Sequence, residues 1–296
     1  MRGLFPSHQL WTDRWDVAAD ERIFPVDLAD AMTNPRADRV ARVRSLSQKS
    51  VRARTSTFVV EGPQAVREAV RFGAARITDV YVTRQAASRW PEIVDDALAA
   101  DLWVHPVSDE VMERMSPDAQ GVLAVMEAVE PDLADVVAAG PSLVAICEEL
   151  RDPGNAGTVI RAADAAGADA VIFTLGSVEV TSPKVVRSSA GSLFHLPVVT
   201  GVGLADAVTA LRAAGCVVLA ADGGGEHSVE TSPLIARPTA WIFGTEAQGL
   251  SDDARAMADA MVSVPLRGSA ESLNVAMAAT VCLYSSSRAH AAPSSR

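Results

Sequence analysis

Two patterns of hydrophobic and polar positions alternate along the chain. Short runs rich in Val, Ile and Ala predict buried strands, and between them apolar residues recur at the spacing of amphipathic helices. In the first half, the predicted strands are Phe58–Val60, Ile77–Val82, Leu102–His105 and Gly121–Met126, and a helix is predicted over Gln64–Phe72. In the second half, the predicted strands are Leu143–Cys147, Ala170–Phe173, Pro197–Thr200, Cys216–Ala221, Ala240–Phe243 and Val262–Val264, and helices are predicted to begin at Asn155, Leu204 and Ser272. The alternation predicts an α/β fold whose second half is a mostly parallel sheet covered on both faces.

The same pattern predicts the domain boundaries. Residues 34–130 read as one α/β domain and residues 141–288 as a second. Between them, residues 131–140 are rich in Ala and flanked by prolines, which is typical of a linker or connecting helix. Residues 1–33 show no periodicity and are predicted to be a partly disordered extension, and residues 289–296 a flexible tail.

Composition indicates a globular protein. With 296 residues, 49% of them hydrophobic, the chain has enough apolar material for two packed cores. Its longest apolar runs are strand-sized and interrupted by charge, so we expect a cytoplasmic protein without a membrane partner. Cys147, Cys216 and Cys282 lie in apolar sequence without metal-ligand spacing, which predicts buried thiols and neither disulfides nor a metal site.

The net charge of −11 argues against a nucleic-acid partner, because binding to phosphate is driven largely by Lys and Arg. Between residues 34 and 54, however, seven basic residues face the single acid Asp38, so this window is formally +6 and the rest of the chain −17. The basic residues are Arg36, Arg39, Arg42, Arg44, Lys49, Arg52 and Arg54. They fit an RNA-binding arm, and equally an amphipathic helix with Val40, Val43 and Leu46 facing inward and solvated arginines outside. The residues alone leave both interpretations open.

Three glycine-containing segments, 152–161, 242–250 and 264–274, each follow a predicted strand of the second half. In parallel sheets, ligands bind beyond the carboxyl ends of the strands. Glycines in all three segments allow backbone to approach a ligand closely. The polar side chains around them are Asn155, Arg161, Glu246, Ser272 and Asn274. We therefore expect one ligand site formed by the three segments together.

This set of side chains excludes most familiar chemistries. It holds no metal ligands for hydrolysis, no histidine for a serine triad and no GxxxxGK[ST] loop for phosphoryl transfer. A dinucleotide-dependent oxidoreductase is a weaker rival. Gly201 and Gly203 follow a strand and Asp222 ends the next, but Asp206 stands where the third small residue of that motif belongs. What remains is an activated cofactor positioned against a substrate hydroxyl.

The three segments, in their order, resemble the signature motifs of the SpoU (TrmH-like) branch of the SPOUT RNA methyltransferases. Residues 155–163 are similar to the first motif, residues 243–250 to the second, and residues 264–266 with 272–276 to the third. The resemblance covers nearly all of residues 34–288. Within it, the segment Arg187–Pro197 looks like the family's connecting segment, and the region from Phe58 to about Met126 resembles the L30e-like substrate-binding domain.

The resemblance implies an S-adenosylmethionine-dependent transfer of a methyl group to a ribose 2′-hydroxyl, in a homodimer whose catalytic domain is a deep trefoil knot. It implies cofactor contacts through Gly244, Val264, Leu266 and Leu273. Structured RNA is the implied partner. We prefer rRNA of the 23S type, because the two-domain form resembles the rRNA-modifying members. A tRNA 2′-O-methyltransferase and a non-catalytic RNA-binding protein on the same frame are the alternatives.

Arg161 corresponds to the family's catalytic arginine. A guanidinium stays protonated, so we expect Arg161 to bind the target phosphate and stabilise negative charge on the 2′-oxygen, rather than act as a base. The proton would then pass to an RNA phosphate or to water. Asn155 is expected to orient Arg161 or the ribose, Glu246 to hold the arginine or groups of the partner subunit, and Ser272 and Asn274 to fix the third motif. For Ser272 a helix cap alone is an equal alternative. Cys216 and His195 are expected to be packing residues.

Overall fold

The computed structural model describes residues 31–245 and 249–291. Most of the predicted extension, residues 1–30, and of the predicted tail, residues 292–296, therefore lies outside the described residues, as does Glu246 in the second motif.

The first half of the chain folds around a four-stranded mixed sheet in the order β1-β4-β2-β3. Strand β4 is antiparallel to both β1 and β2, and β2 is parallel to β3. Apolar clusters cover both faces of the sheet. The elements are α1 (Asp38–Ser45), α2 (Lys49–Thr55), β1 (Thr57–Glu61), α3 (Pro63–Gly73), β2 (Ile77–Thr83), α4 (Arg84–Arg89), α5 (Pro91–Ala99), β3 (Val104–Val107), α6 (Asp109–Met115) and β4 (Val122–Glu127).

Strand β3 begins two residues later than predicted and runs through Pro106. Proline lacks the N–H that an interior strand needs, so Pro106 is unusual inside a strand. As an edge strand, β3 pairs only with β2 among the named strands and tolerates the proline. The other three strands of this sheet were predicted to within one residue at each end.

The second half folds around a seven-stranded sheet in the order β7-β6-β5-β10-β8-β11-β9, with every pairing parallel. Helices cover both faces, as the strand composition predicts. Its elements are β5 (Leu143–Cys147), α8 (Pro153–Ala166), β6 (Ala170–Thr174), α9 (Pro183–Ser188), β7 (Val198–Val202), α10 (Leu204–Ala213), β8 (Val217–Ala221), β9 (His227–Ser228), β10 (Thr239–Phe243), α11 (Asp252–Met257), β11 (Ala260–Ser263) and α12 (Val275–Ala291), and α7 (Leu133–Ala138) precedes them.

The last two strands enter the sheet between earlier ones. Strand β10 lies between β5 and β8, and β11 lies between β8 and β9. The end of β10 therefore comes beside the end of β5, where the first motif begins. Helix α12 then crosses back over this sheet, and the fully buried Trp241 of β10 donates its indole N–H to Ser286 of α12 at 2.9 Å. The strand order suits the trefoil knot that the resemblance implies, which stays a prediction.

Buried ion pairs join the two halves. Arg52 of α2 donates from Nε and Nη2 to both carboxylate oxygens of Glu179, each at 2.7 Å, and Arg187 of α9 pairs with Glu61 of β1. Apolar packing adds to them, because Val186 and Phe194 belong to the core of the first sheet. These contacts fix the position of one half against the other.

Within residues 31–245 and 249–291, no helix has both the length and the apolarity of a membrane span, and no cluster of His, Cys, Asp and Glu is arranged to hold a metal ion. The three cysteines are free and buried, as predicted, and burial raises the pKa of the Cys282 thiol to about 12.

Candidate functional site

Helix α8 carries the first motif, and its start is tightly specified. Asp152 caps the helix by accepting the backbone N–H of Asn155 at 2.8 Å, and Pro153 occupies the first helical position, where a missing N–H costs nothing. Asn155 therefore lies in the first turn and Arg161 in the third. The Arg161 side chain is exposed, and within the described residues it has no hydrogen-bond or ion-pair partner. Its guanidinium is available to a ligand.

A single residue links the third motif to the first. Asn274 accepts the backbone N–H of Ala276 at 2.9 Å through Oδ1, which makes it the cap of α12. The nitrogen at the other end of the same amide donates to Oδ1 of Asn155 at 3.0 Å. Because the cap fixes which end of the amide faces the helix, the donor must point at Asn155. The predicted convergence of these two motifs is thus present as a direct contact.

The expected start of α12 at Ser272 is wrong. The helix begins at Val275, and the capping oxygen comes from Asn274. Serine and asparagine cap about equally well, so the sequence did not distinguish them. Ser272 is exposed in the irregular segment before the helix, and the alternative that it serves only as a cap no longer applies.

Two of the motif glycines, Gly157 and Gly244, are required by close packing inside the protein, and the expectation that the motif glycines admit a ligand stays a prediction. A Cβ on Gly157 would lie 1.9 Å from Oγ of Ser188 and 2.7 Å from the backbone of α9, so this glycine allows α8 and α9 to pack closely. A Cβ on Gly244 would lie 2.2 Å from the carbonyl of Gly249. There the second motif folds back on itself through paired backbone hydrogen bonds between Thr245 and Gly249, both 2.9 Å. These glycines shape the loops themselves.

The third segment has the surface that an adenosyl group requires. Leu266 is 40% exposed, and Val264 and Leu273 are partly exposed, so apolar side chains face solvent at the carboxyl end of β11. Between residues 265 and 273 no backbone group of this described stretch bonds to another backbone group, which leaves amides and carbonyls for a ligand. Arg267 pairs with both oxygens of Glu230 at 2.8 Å on the protein surface. Apolar side chains and unused backbone groups fit a purine nucleoside and its sulfonium side chain.

The basic window forms two helices, and its members differ in environment. Arg36, Arg42, Arg44, Lys49 and Arg54 are exposed. Arg39 lies over the ring of Tyr81 and pairs with Asp79 at 2.8 Å. Burial opposes ionisation of Asp79, and hydrogen bonding to His105 with the charge of Arg39 outweighs it, so the Asp79 pKa lies below its ordinary value.

Arg52 is a correction to the expected RNA-binding set. It is 5% exposed, and besides Glu179 it donates to the carbonyls of Leu46 and Ser47 at 2.8 Å. Its guanidinium is occupied inside the protein, where an RNA phosphate cannot reach it. Sequence spacing could not separate Arg52 from its neighbours, because its acidic partner lies 127 residues away.

His195 also differs from expectation, because it bridges the two halves through polar contacts. Its Nδ1 lies 2.8 Å from a carboxylate oxygen of Asp164 in α8, and its Nε2 lies 3.2 Å from Glu68 in α3. Phe72 packs on the ring with centroids 4.4 Å apart. Asp164 is one turn beyond Arg161, so this contact holds α8 against the first half. No pattern in the sequence indicated that His195 would bridge the two halves.

Comparisons with known proteins agree with this arrangement. Residues 142–284 match the model of the SpoU rRNA Methylase family, and residues 37–124 match the MRM3-like substrate binding domain. The chain is 35% identical over 251 residues to the 23S rRNA (uridine(2479)-2'-O)-methyltransferase of Streptomyces viridochromogenes, covering 82% of this chain and 86% of that protein. It is 32% identical over 244 residues to the 23S rRNA (guanosine(2553)-2'-O)-methyltransferase RlmP of Bacillus subtilis (strain 168), covering 81% and 92%.

Solved structures are similar over the same extent. The AdoMet-bound rRNA methyltransferase from Sinorhizobium meliloti superposes with a TM-score of 0.76 at 28% identity, covering 87% of this chain and 97% of that one. The SpoU methyltransferase AviRb from Streptomyces viridochromogenes, in complex with AdoMet, gives 0.74 at 31% identity, covering 85% and 98%.

Proposed function

Because this chain belongs to the SpoU rRNA methylase family, we infer that it is an S-adenosylmethionine-dependent RNA methyltransferase that modifies a ribose 2′-hydroxyl in rRNA of the 23S type. The observation that carries this function is the contact between Asn155 and Asn274, which brings the first and third motifs together beside an exposed, unoccupied Arg161 in the described structure. A cytoplasmic location follows from a ribosomal substrate.

The cofactor site lies between the second and third motifs. Gly244 shapes the turn of the second loop, and Val264, Leu266 and Leu273 supply apolar contacts around unused backbone groups. When bound, S-adenosylmethionine supplies an activated methyl group. The protein's task is to hold the ribose hydroxyl in line with that group and to exclude competing water.

Arg161 binds the phosphate of the target nucleotide and stabilises negative charge that develops on the 2′-oxygen. Its permanent charge makes it unsuitable as a base, so the proton of the hydroxyl passes to an RNA phosphate or to water. Asn155, held by Asn274, orients Arg161 or the ribose. Glu246 and Ser272 complete the proposed catalytic set, Glu246 from outside the described residues and Ser272 from the exposed third segment.

The RNA-binding surface of the first domain is the exposed part of the basic window: Arg36, Arg42, Arg44, Lys49 and Arg54, with Arg39 partly available beside Asp79. These cations release counterions from the RNA backbone despite the overall negative charge. Recognition by shape and exposed loops suits a structured RNA.

A homodimer through α12 completes the proposal. Met277, Val281 and Tyr284 are 62%, 38% and 48% exposed and follow one another at helical spacing on one face. A stripe of large apolar side chains on one helix is typical of a surface that another chain covers. We assign the covering surface to a second copy of this chain, because the stripe continues directly from the third motif.

Methyl transfer from radiolabelled S-adenosylmethionine tests the function. The full chain is incubated separately with total rRNA and total tRNA, and the labelled RNA is digested to nucleosides. We expect a labelled 2′-O-methyl nucleoside from rRNA. Label found only in tRNA would show that the substrate is tRNA and not rRNA. Cofactor binding without transfer to either RNA would favour a non-catalytic RNA-binding protein.

A further inference from the structure

Two clefts adjoin on the side of the first domain that carries α1. One, of about 650 Å³, opens between the domains, with α1, β1 and the end of α6 on one side and Ser182–Arg187 with Pro153 on the other. The second, of about 580 Å³, lies between α1 and Arg114 at the end of α6. Both are lined by Arg44, Ser47 and Arg114, so they form one continuous channel, which we call the α1–α6 groove.

The α1–α6 groove is positively charged in a protein of net charge −11. Six cationic side chains line it against three acidic ones. The cations are Arg36, Arg44, Arg52, Arg114, Lys184 and Arg187, and the acids are Glu61, Glu113 and Asp118. A local excess of this kind attracts a polyanion and steers its approach.

Ion pairing divides these cations into two classes. Arg52 is bound to Glu179, and Arg187 is bound to Glu61 and Asp118, so both serve the domain interface. The other four, Arg36, Arg44, Arg114 and Lys184, are exposed, and in the described part of the chain their side chains have no hydrogen-bond or ion-pair partner. Four exposed cations without an acidic partner among the described residues leave their charge along one channel available to a ligand.

The groove leads to the catalytic helix. Pro153, which lines its inner end, is the first residue of α8, and Asn155 follows two residues later. The free cations come from α1, the segment just before it and α6 in the first domain, and from α9 in the second, so a ligand that engages them all must span both domains. An extended chain of phosphates meets this requirement, and a single small anion does not.

Resting on the proposed function, we propose that the α1–α6 groove binds the sugar-phosphate backbone of the substrate RNA as it approaches the catalytic helix, with Arg114 and Lys184 as phosphate contacts. These two residues lie far from the basic window in sequence and join it only in the folded chain. They supply the link between the RNA-binding domain and Arg161.

Equilibrium binding of a labelled oligouridylate to the full chain, measured over a range of salt concentrations, tests the groove. The variant carries Arg114→Ala and Lys184→Ala together. The matched control is Arg237→Ala, an exposed cation just before β10, at the opposite end of that strand from the site. Each phosphate contact on a single strand contributes about 0.7 to the slope of log affinity against log salt, so the double variant should lose about 1.4. Glu113→Gln, which removes an exposed acid from the groove, should raise affinity.

Cofactor binding by calorimetry and the thermal midpoint should match the wild type in all variants, because the altered side chains are exposed. If the double variant has the same salt slope as the wild type and the wild type methylates rRNA, the groove does not bind the RNA backbone, but the proposed methyltransferase function stands. Absence of methyl transfer by the wild type overturns the function instead, independently of the slopes.

Discussion

Asn274 donates a 3.0 Å hydrogen bond from its side-chain nitrogen to the side-chain oxygen of Asn155, 119 positions earlier, while its own oxygen caps α12. One amide thus serves two purposes. The cap sets where α12 begins, and the donor ties that point to the first turn of α8. This link holds the proposed catalytic arginine and the proposed cofactor segment together, since Arg161 lies on α8 and the third segment ends at Asn274.

Replacement of Asn274 separates its two roles. Serine keeps a capping oxygen but is too short to reach Asn155, so Asn274→Ser should retain stability and lower methyl transfer, by up to about 100-fold if the geometry shifts by an ångström. Asn274→Ala loses the cap as well and should also lower the free energy of unfolding by about 0.5–2 kcal/mol. Chemical denaturation and methyl-transfer rates measure the two effects. A fully active serine variant contradicts the positioning role.

Arg161→Ala should lower the rate of methyl transfer by about 100-fold to 1000-fold, the usual cost of removing one donor to a developing oxyanion. The side chain is exposed and has no hydrogen-bond or ion-pair partner within the described structure, so the unfolding free energy should change by less than about 0.5 kcal/mol. Arg161→Lys is the control, because it keeps the charge without the fork of donors. Retained activity in the alanine variant, with cofactor binding intact, would remove Arg161 from the mechanism.

Arg52→Met should lower the unfolding free energy by about 3–5 kcal/mol, because it removes the charged partner of Glu179 and leaves the carbonyls of Leu46 and Ser47 without this donor. Arg39→Met is the matched control. Arg39 is 40% exposed and its ion pair is screened by water, so its loss should cost less than about 1 kcal/mol. Urea denaturation of both variants measures the two losses of unfolding free energy. Equal losses would show that the buried ion pair stabilises the protein no more than the exposed one.

Stability should fall as the pH drops below about 4.5. Burial opposes ionisation of Glu179, but hydrogen bonds from Arg52 and Thr181 outweigh it, so its pKa lies below the ordinary value of 4.5. A carboxyl whose pKa is lowered by folding contributes stability that is fully present above the unfolded pKa and lost as pH falls through the folded one. The gap in stability between wild type and Arg52→Met should therefore narrow below pH 4.5. A constant gap would contradict this linkage.

Gly157→Ala should destabilise the protein by about 1–3 kcal/mol, although alanine favours helices more than glycine by about 1 kcal/mol. The added methyl would collide with Ser188 and with the backbone of α9. Gly268→Ala is the control, since a Cβ there meets nothing within 4 Å. Thermal unfolding distinguishes them, and a stabilised Gly157 variant would mean that α9 can move away at little cost.

Tyr284→Glu should convert the proposed dimer to a monomer, because a charge in an apolar interface cannot be solvated. Trp103→Glu, at a half-exposed aromatic residue of the first domain, should leave the mass unchanged. Sedimentation of the full chain measures both variants. A wild type that sediments as a monomer would contradict the dimer itself.

Local patterns in the sequence predicted most of the strands and the order of the motifs. Leu143–Cys147 was predicted without error, because a parallel strand covered on both faces is a continuous apolar run. The two-residue strand β9 was missed because two residues have no period, and the start of α12 was missed because Ser272 and Asn274 are residue types that cap a helix about equally well.

The sequence by itself determined the fold class, the family and the residues of the three motifs, because each is written in a contiguous segment. The tertiary structure decided which of these segments meet and which cations are free. Asn155 contacts Asn274, and Arg52 is bound in an ion pair with Glu179. Arg114 and Lys184 line the same groove. Each relation depends on strand order and on the packing of one domain against the other. Local periodicity carries no information about either, because distant elements are brought together only when their apolar faces are buried jointly.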